Sequence, residues 1–282
     1  MKIRVNGLDA DMQPETEKTV GEVLAAMESW LTGSGHRLSG LCIDGETANL
    51  ETIEESFNRE IDTIHTLDIS TSSLTELIAE SLFNIIEDVK TYEAASFEQR
   101  IPFAANWKES PTARLLAEQS PDLYDWAMNT FSGEGSGTQI LHSLAEERLR
   151  ELQNPINEME TAKPLVAEVC TRLEELPLDM QTGKDARAAE TVNFFSGIAE
   201  KVFRIYSILK IEGFPVGDIK VENMAIKAYI DEFNAVLQEL LTAYEQRDTV
   251  LVGDLAEYEM APRLRNLHAT LLDAIVQKRS LQ

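Results

Sequence analysis

The sequence predicts an α+β protein in which a short strand-rich region is followed by a long all-helical remainder. Three observations predict it. Up to about residue 70, short apolar runs alternate with polar residues and close at the turn signals Asn6-Gly7 and Asp44-Gly45. At Ser73-Leu74-Thr75-Glu76 a capping box opens a helix, and the apolar spacing changes to steps of three and four. Between Asp218 and Val276 two long helices are expected to form a spine, the first with Ile226, Ile230, Phe233, Leu237, Leu240 and Tyr244 on one stripe. With 282 residues the chain is long enough for two domains, expected at 1–71 and 72–282.

In the first region, Ile3 and Val5 alternate with Lys2 and Arg4 in a strand that ends at Asn6-Gly7, and a second strand is expected over Met12 to Glu15. Thr19 and Glu22 form a capping box, and Val20, Val23, Leu24, Met27, Trp30 and Leu31 are the expected buried face of the helix that follows. Leu38 to Asp44 reads as a buried strand, and a last one runs through Ile64, Leu67 and Ile69. Strand, turn, strand, helix, strand, loop, strand is the order of a ubiquitin-like β-grasp. The RVNG opening, the TVGEVL helix start, the CIDGE strand end and the Asp62 to Asp68 closing strand resemble the thiamine-pathway sulfur-carrier branch of that superfold. Such carriers work through a free C-terminal Gly-Gly, whereas this chain continues as ISTSSLTELI. The resemblance therefore implies a β-grasp used as a docking or packing module, without the carrier chemistry.

In the helical remainder, Leu74, Leu77, Ile78, Leu82, Ile85, Ile86 and Val89 predict a helix up to about Tyr92. Ser96 to Ser110 is the least helical stretch and holds Phe97, Ile101, Phe103 and Trp107, large apolar residues that either anchor a protein partner or fold back onto the core. Ser110-Pro111 and Ser120-Pro121 each place a cap before a first-turn proline and predict two short helices. SGEGSGT at Ser132 to Thr138 reads as a hinge, since neither a GxGxxG spacing nor a Lys-Ser/Thr follows its glycines. Pro155 and Pro164 are expected to bend or end helices, and Ala186 to Leu209 forms a further helix. In the second spine helix, from Asp248, a kink is expected near Pro262, which cannot donate to the Tyr258 carbonyl. Gly253 in the same helix invites a close approach by another backbone. The pattern DTVLVGDLAEYEMAPRL resembles a segment of uncharacterised bacterial helical proteins.

Composition narrows the function classes. The chain holds 25 basic and 49 acidic residues, a formal charge of -24, with 43% hydrophobic content. That field repels phosphate backbones and anionic headgroups, so neither nucleic acid nor a membrane surface is an expected partner, while a basic protein is. The N-terminus alternates and turns acidic where a signal peptide needs an apolar run, which places the expected location in the cytoplasm. Cys42 and Cys170 have no CxxC spacing and are expected to be reduced core residues.

A search for chemistry finds no HExxH, no GxSxG and no Glu-x-x-His pair. His142 with Glu146, and Asp254, Glu257 and Glu259 around Tyr258, are the nearest approaches to a site; the first reads as a solvent-exposed pair and the second as a solvated or interdomain hydrogen-bonding cluster. No catalytic residue, cofactor or metal is therefore assigned. The expected function is that of a non-enzymatic protein-interaction protein, adaptor or chaperone-like, whose partner is basic or a helical client. The alternative is an enzyme or enzyme accessory subunit with a carboxylate metal site in the helical part. Long apolar stripes are also compatible with a homodimer.

Overall fold

The computed structural model describes residues 1–12, 14, 16–33, 35–48, 53–133 and 137–279. The protein is α+β, an N-terminal sheet region followed by a mostly helical C-terminal part. The chain divides into two compact units, Met1–Ala145 and Glu146–Gln282. The expected boundary at residue 71 falls within the first unit, at the end of its sheet.

The sheet is built from β1 (Lys2–Val5), β2 (Leu8–Asp9), β3 (His36–Ile43), β4 (Glu46–Thr47) and β5 (Thr66–Ser73), in the order β2-β1-β5-β3-β4. β1 and β5 are parallel and the other pairs antiparallel. Asn6 and Gly7 both have positive φ, as do Asp44 and Gly45, so two tight hairpins join β1 to β2 and β3 to β4. A two-residue turn sets the partner strand immediately after it. β2 therefore lies at Leu8–Asp9 and not at Met12 to Glu15, of which Gln13 and Glu15 lie outside the described residues.

Helix α1 (Val20–Gly33) starts at the expected capping box, with the Glu22 N–H donating to Thr19 Oγ1 at 3.3 Å and the Thr19 N–H to Glu22 Oε2 at 3.4 Å. Its Val20, Val23, Leu24, Met27 and Leu31 join Ile3, Leu41, Ile43, Leu67 and Ile69 in one core. Trp30 does not join them and is 62% exposed. It sits at the edge of the stripe those five residues define, about 20° beyond Val23. α2 (Ile53–Phe57) is a short helix in the connection to β5.

Strand β5 passes into α3 (Leu74–Ala94) through the capping box at Ser73, which accepts from the Glu76 N–H at 3.1 Å while its own N–H donates to Glu76 Oε2 at 2.8 Å. Then follow α4 (Phe97–Arg100), α5 (Phe103–Lys108), α6 (Pro111–Gln119) and α7 (Pro121–Phe131). α6 and α7 are the two proline-started helices read from the sequence, and Ser110 Oγ caps α6 by accepting from the Ala113 N–H at 3.1 Å. The expected hinge at 132–138 lies partly outside the described residues, at 134–136. α8 (Thr138–Gln153) runs across the division between the units.

The second unit packs α9 (Pro155–Gln181), α10 (Asp185–Ile211), α11 (Ile226–Glu245), α12 (Thr249–Asp254) and α13 (Ala261–Arg279) around one core that includes Leu173, Phe195, Val202, Phe233, Leu240, Leu264 and Leu271. Pro155 begins α9, as its first-turn position allows, whereas Pro164 and Pro177 lie inside it without ending it. A hairpin of β6 (Lys220–Val221) and β7 (Met224–Ala225) precedes α11, so the spine's first helix starts at Ile226 and not at Asp218. Between α12 and α13 the helix widens to a π segment over Leu255–Met260, next to Pro262. The irregularity expected from that proline is this change of hydrogen-bond step.

Candidate functional site

The four residues singled out by the sequence, Phe97, Ile101, Phe103 and Trp107, sit on α4, its end and α5, and the fold divides them into two pairs. Arg100 anchors the segment. Its Nε donates to the Tyr92 carbonyl at 2.8 Å and its Nη2 to the Glu93 carbonyl at 2.7 Å, so a cation closes the negative end of α3. The guanidinium also lies 4.9 Å from the centre of the Tyr92 ring.

From that anchor Phe103 turns inward, with its ring 5.2 Å from Tyr92 and 4.9 Å from Phe131. Trp107 follows it and is 4% exposed, 5.4 Å from Phe131 and 5.8 Å from Tyr124. Its indole N–H donates to Asp88 Oδ2 at 3.0 Å. Burial pushes the Asp88 carboxyl above its ordinary pKa, and the indole hydrogen bond works in the opposite direction. Trp107 is thus a core residue of the first unit, and Phe103, half-buried, packs inward beside it.

Phe97 and Ile101 are the reverse case, 79% and 69% exposed. The backbone stays helical through Ile101, so the two side chains, four residues apart, lie on one face. Together they form an apolar ledge whose footing is fixed by Arg100 behind it and by the aromatic cluster that begins at Phe103.

The second unit contains a charged cluster that sequence reasoning missed. Lys201 on α10 is 8% exposed and its Nζ lies 2.8 Å from Glu158, 2.9 Å from Glu147 and 3.3 Å from Glu151. Arg204, one turn on, grips Glu151 with two bonds of 2.9 and 3.0 Å. Burial opposes the charge on Lys201, but hydrogen bonds with Glu158 and Glu147 prevail and raise its pKa. Burial likewise opposes ionisation of Glu147, and its bond to Lys201 lowers its pKa in spite of it. Acid–base catalysis needs pKa values drawn toward neutrality, and these two are driven apart. The cluster clamps α8, α9 and α10 together. Its signals were in the sequence, Glu147 and Glu151 at i, i+4 and Lys201 and Arg204 at i, i+3, but nothing local says that the two sets meet.

Other candidate groups are engaged within the fold or face solvent. Cys170 Sγ donates to the Ala261 carbonyl at 3.3 Å, and burial pushes its thiol up to about 11, so it is held protonated. His268 Nε2 lies 2.8 Å from the Met159 carbonyl. Glu259 binds Arg263, while Tyr258 points to solvent. Among the described residues, no three of His, Cys, Asp and Glu come together as metal ligands would, and no helix is long and apolar enough to cross a membrane.

Comparison with known proteins finds similarity in two stretches. Residues 1–73 match the family model of the TP0873 N-terminal domain, and residues 143–270 match that of a domain of unknown function, DUF8042. An uncharacterised protein of Treponema pallidum (strain Nichols) is 27% identical over 169 residues, which covers 60% of this chain and 82% of the relative. No solved structure matches. The chain thus joins a sheet region similar to the one family to a helical region similar to the other, and residues 74–142, which carry the ledge, lie between the two matches.

Proposed function

We propose that this chain is a non-enzymatic, cytoplasmic protein-interaction protein, adaptor or chaperone-like, whose apolar ledge receives a basic amphipathic segment of a partner. The observation that carries the reading is the exposure of Phe97 and Ile101 side by side on a backbone held by Arg100. Burying a large apolar side chain is worth about 1.5–3 kcal/mol, so two adjacent anchors on a fixed footing suit a partner's apolar stripe.

Charge supports the choice of partner. Residues 74–131 hold ten acidic side chains and four basic ones. Three of the four are engaged within the fold: Lys90 with Glu87, Arg100 with the end of α3 and Arg114 with Glu109. Glu93 and Glu98 are exposed close to the ledge in sequence, where they favour a partner with Lys or Arg flanking its apolar face.

Our reading of the sheet region is a β-grasp that serves as a docking module. Its support is the strand order β2-β1-β5-β3-β4 with β1 and β5 parallel, and α1 packed on one face. β5 runs directly into α3, which leaves no free tail of the carrier kind.

The test is affinity capture from the cells of origin with the native chain and with Phe97→Glu/Ile101→Glu, washed at low and high salt. A partner kept by the native chain and lost by the variant at an equal melting temperature supports the reading, and its loss at high salt identifies a basic partner. A partner retained equally by the variant removes the ledge from the function. The alternative, a carboxylate metal site in the helical part, would show as a large metal-dependent rise in melting temperature.

A further inference from the structure

The joint between α8 and α9, closed on one side by the end of α10, forms a recess of about 440 Å³ within the second unit. That volume is in the range of small-molecule sites. The residues that line it include the apolar Leu209 and Phe214, the carboxamide-bearing Asn154 and Asn157, and the acidic Glu160 and Glu212. No Lys or Arg lines it among the described residues.

We propose that this recess binds a small organic cation, an ammonium or guanidinium carried on a short aliphatic chain. The apolar wall suits the methylene chain, the carboxamides offer oxygens to the N–H donors, and the carboxylates fix the sign of the charge. Three helix ends also meet here. The ends of α8 and α10 each carry about half a negative charge and the start of α9 about half a positive one, so the balance is negative and favours the same ligand. Among the described residues, Glu160 and Glu212 are the only formal charges on the wall.

The environment of Glu212 agrees. Part of its surface reaches solvent, yet the protein atoms around its carboxyl push its pKa above the ordinary value. A carboxylate partly stripped of water gains more from a bound cation than one in bulk solvent. The recess belongs to the second unit and the ledge to the first, so this assignment stands or falls independently of the proposed partner.

A free diamine and the side chain of a peptide lysine present the same chemistry, and the experiment separates them. The intact chain is titrated by calorimetry and by NMR with 1,5-diaminopentane, with Nα-acetyl-lysine methylamide and with pentanoate, an anion of similar chain length. Saturable binding of either amine, with a dissociation constant on the order of 1 mM or below, is expected for ligands of this size. Preference for the diamine assigns a free amine, and preference for the blocked lysine assigns a peptide side chain.

Glu160→Gln/Glu212→Gln is expected to weaken binding about tenfold or more, since each lost charge-assisted hydrogen bond counts for that order. Both positions are exposed, so the melting temperature is expected to hold. Asn157→Lys, which places a cation of the chain's own in the recess, is expected to abolish binding. Absence of saturable binding by both amines, equal binding of pentanoate, or unchanged affinity in the double variant would each overturn the assignment.

Discussion

Gly253 on α12 lies against Pro177 in the body of α9, so close that a Cβ built on the glycine falls 3.0 Å from both Cβ and Cγ of the proline ring. The sequence led us to expect a close approach by another backbone at this glycine; the nearest neighbour is instead a proline ring, which cannot rotate away as a flexible side chain would. Gly253→Ala gains up to ~1 kcal/mol of helix propensity but must force the two helices apart, which costs about 1–3 kcal/mol. Overpacking is expected to win, with a lower melting temperature for Ala and a still lower one for Leu. On a Pro177→Ala background, which removes Cγ but keeps Cβ, the Gly253→Ala cost should shrink in part, because the two sites share one contact. Equal cost on both backgrounds would show that Cγ carries none of the strain.

The elements legible in the sequence are those with a local chemical signature. Both expected capping boxes are made, and the turns at Asn6-Gly7 and Asp44-Gly45 have the positive φ those residue pairs favour. What escaped was decided by neighbours distant in sequence. The β6–β7 hairpin turns at Glu222-Asn223, a pair with no glycine to announce it, and Asn266 on α13 braces it by donating to Glu222 Oε1 at 2.7 Å. Composition marked out Phe97, Ile101, Phe103 and Trp107 as one group, but only packing separates the inward pair from the exposed pair. The Lys201 cluster was illegible for the same reason, since its partners lie 43 to 54 residues away.

That cluster makes Lys201 a strong determinant of the second unit's stability. Lys201→Met leaves Glu151, which is 1% exposed, with Arg204 alone, and strips Glu147 and Glu158 of their shared cation. Removing one member of a buried ionic set costs about 3–5 kcal/mol, because the charges left behind lack compensation. Urea unfolding should show the free energy of unfolding fall by that amount, with a lower midpoint at an unchanged slope. Adding Glu147→Gln and Glu158→Gln to Lys201→Met should recover part of the loss. If it does not, packing of the lysine stem, and not charge, is the larger contribution.

His268 gives the stability a dependence on pH. Burial lowers its pKa below 6.5, the nearby charge of Lys163 acts in the same direction, and the Met159 carbonyl opposes both. The folded state thus holds the imidazole neutral where the unfolded chain takes up a proton. Its contribution is complete above the unfolded pKa and is lost as pH falls through 6.5 toward the folded value. Unfolding free energy is expected to decline between about pH 7.5 and 5.5, a range in which ordinary carboxylates stay ionised. His268→Gln, which keeps a donor near Met159 but does not titrate, should flatten that decline. An unchanged slope in the variant would assign it to another group.

The division of the aromatic segment can be read directly from stability. Trp107→Ala empties a site shared with Phe131 and Tyr124 and is expected to cost about 3–5 kcal/mol, whereas Phe97→Ala and Ile101→Ala should stay within about 0.5 kcal/mol of the native chain. Trp107→Phe is the more informative change, because it keeps one ring in place while it deletes the indole donor to Asp88 along with part of the ring volume, and only the loss of the donor depends on pH. Burial already raises the Asp88 pKa and that hydrogen bond restrains it, so its loss should raise the pKa further. A raised carboxyl pKa costs stability at neutral pH and ceases to do so once the group is protonated. The deficit of Trp107→Phe relative to the native chain should therefore be largest near pH 7 and narrow as pH falls into the carboxyl range. A deficit independent of pH would mean that ring packing, and not the Asp88 hydrogen bond, is what Trp107 supplies.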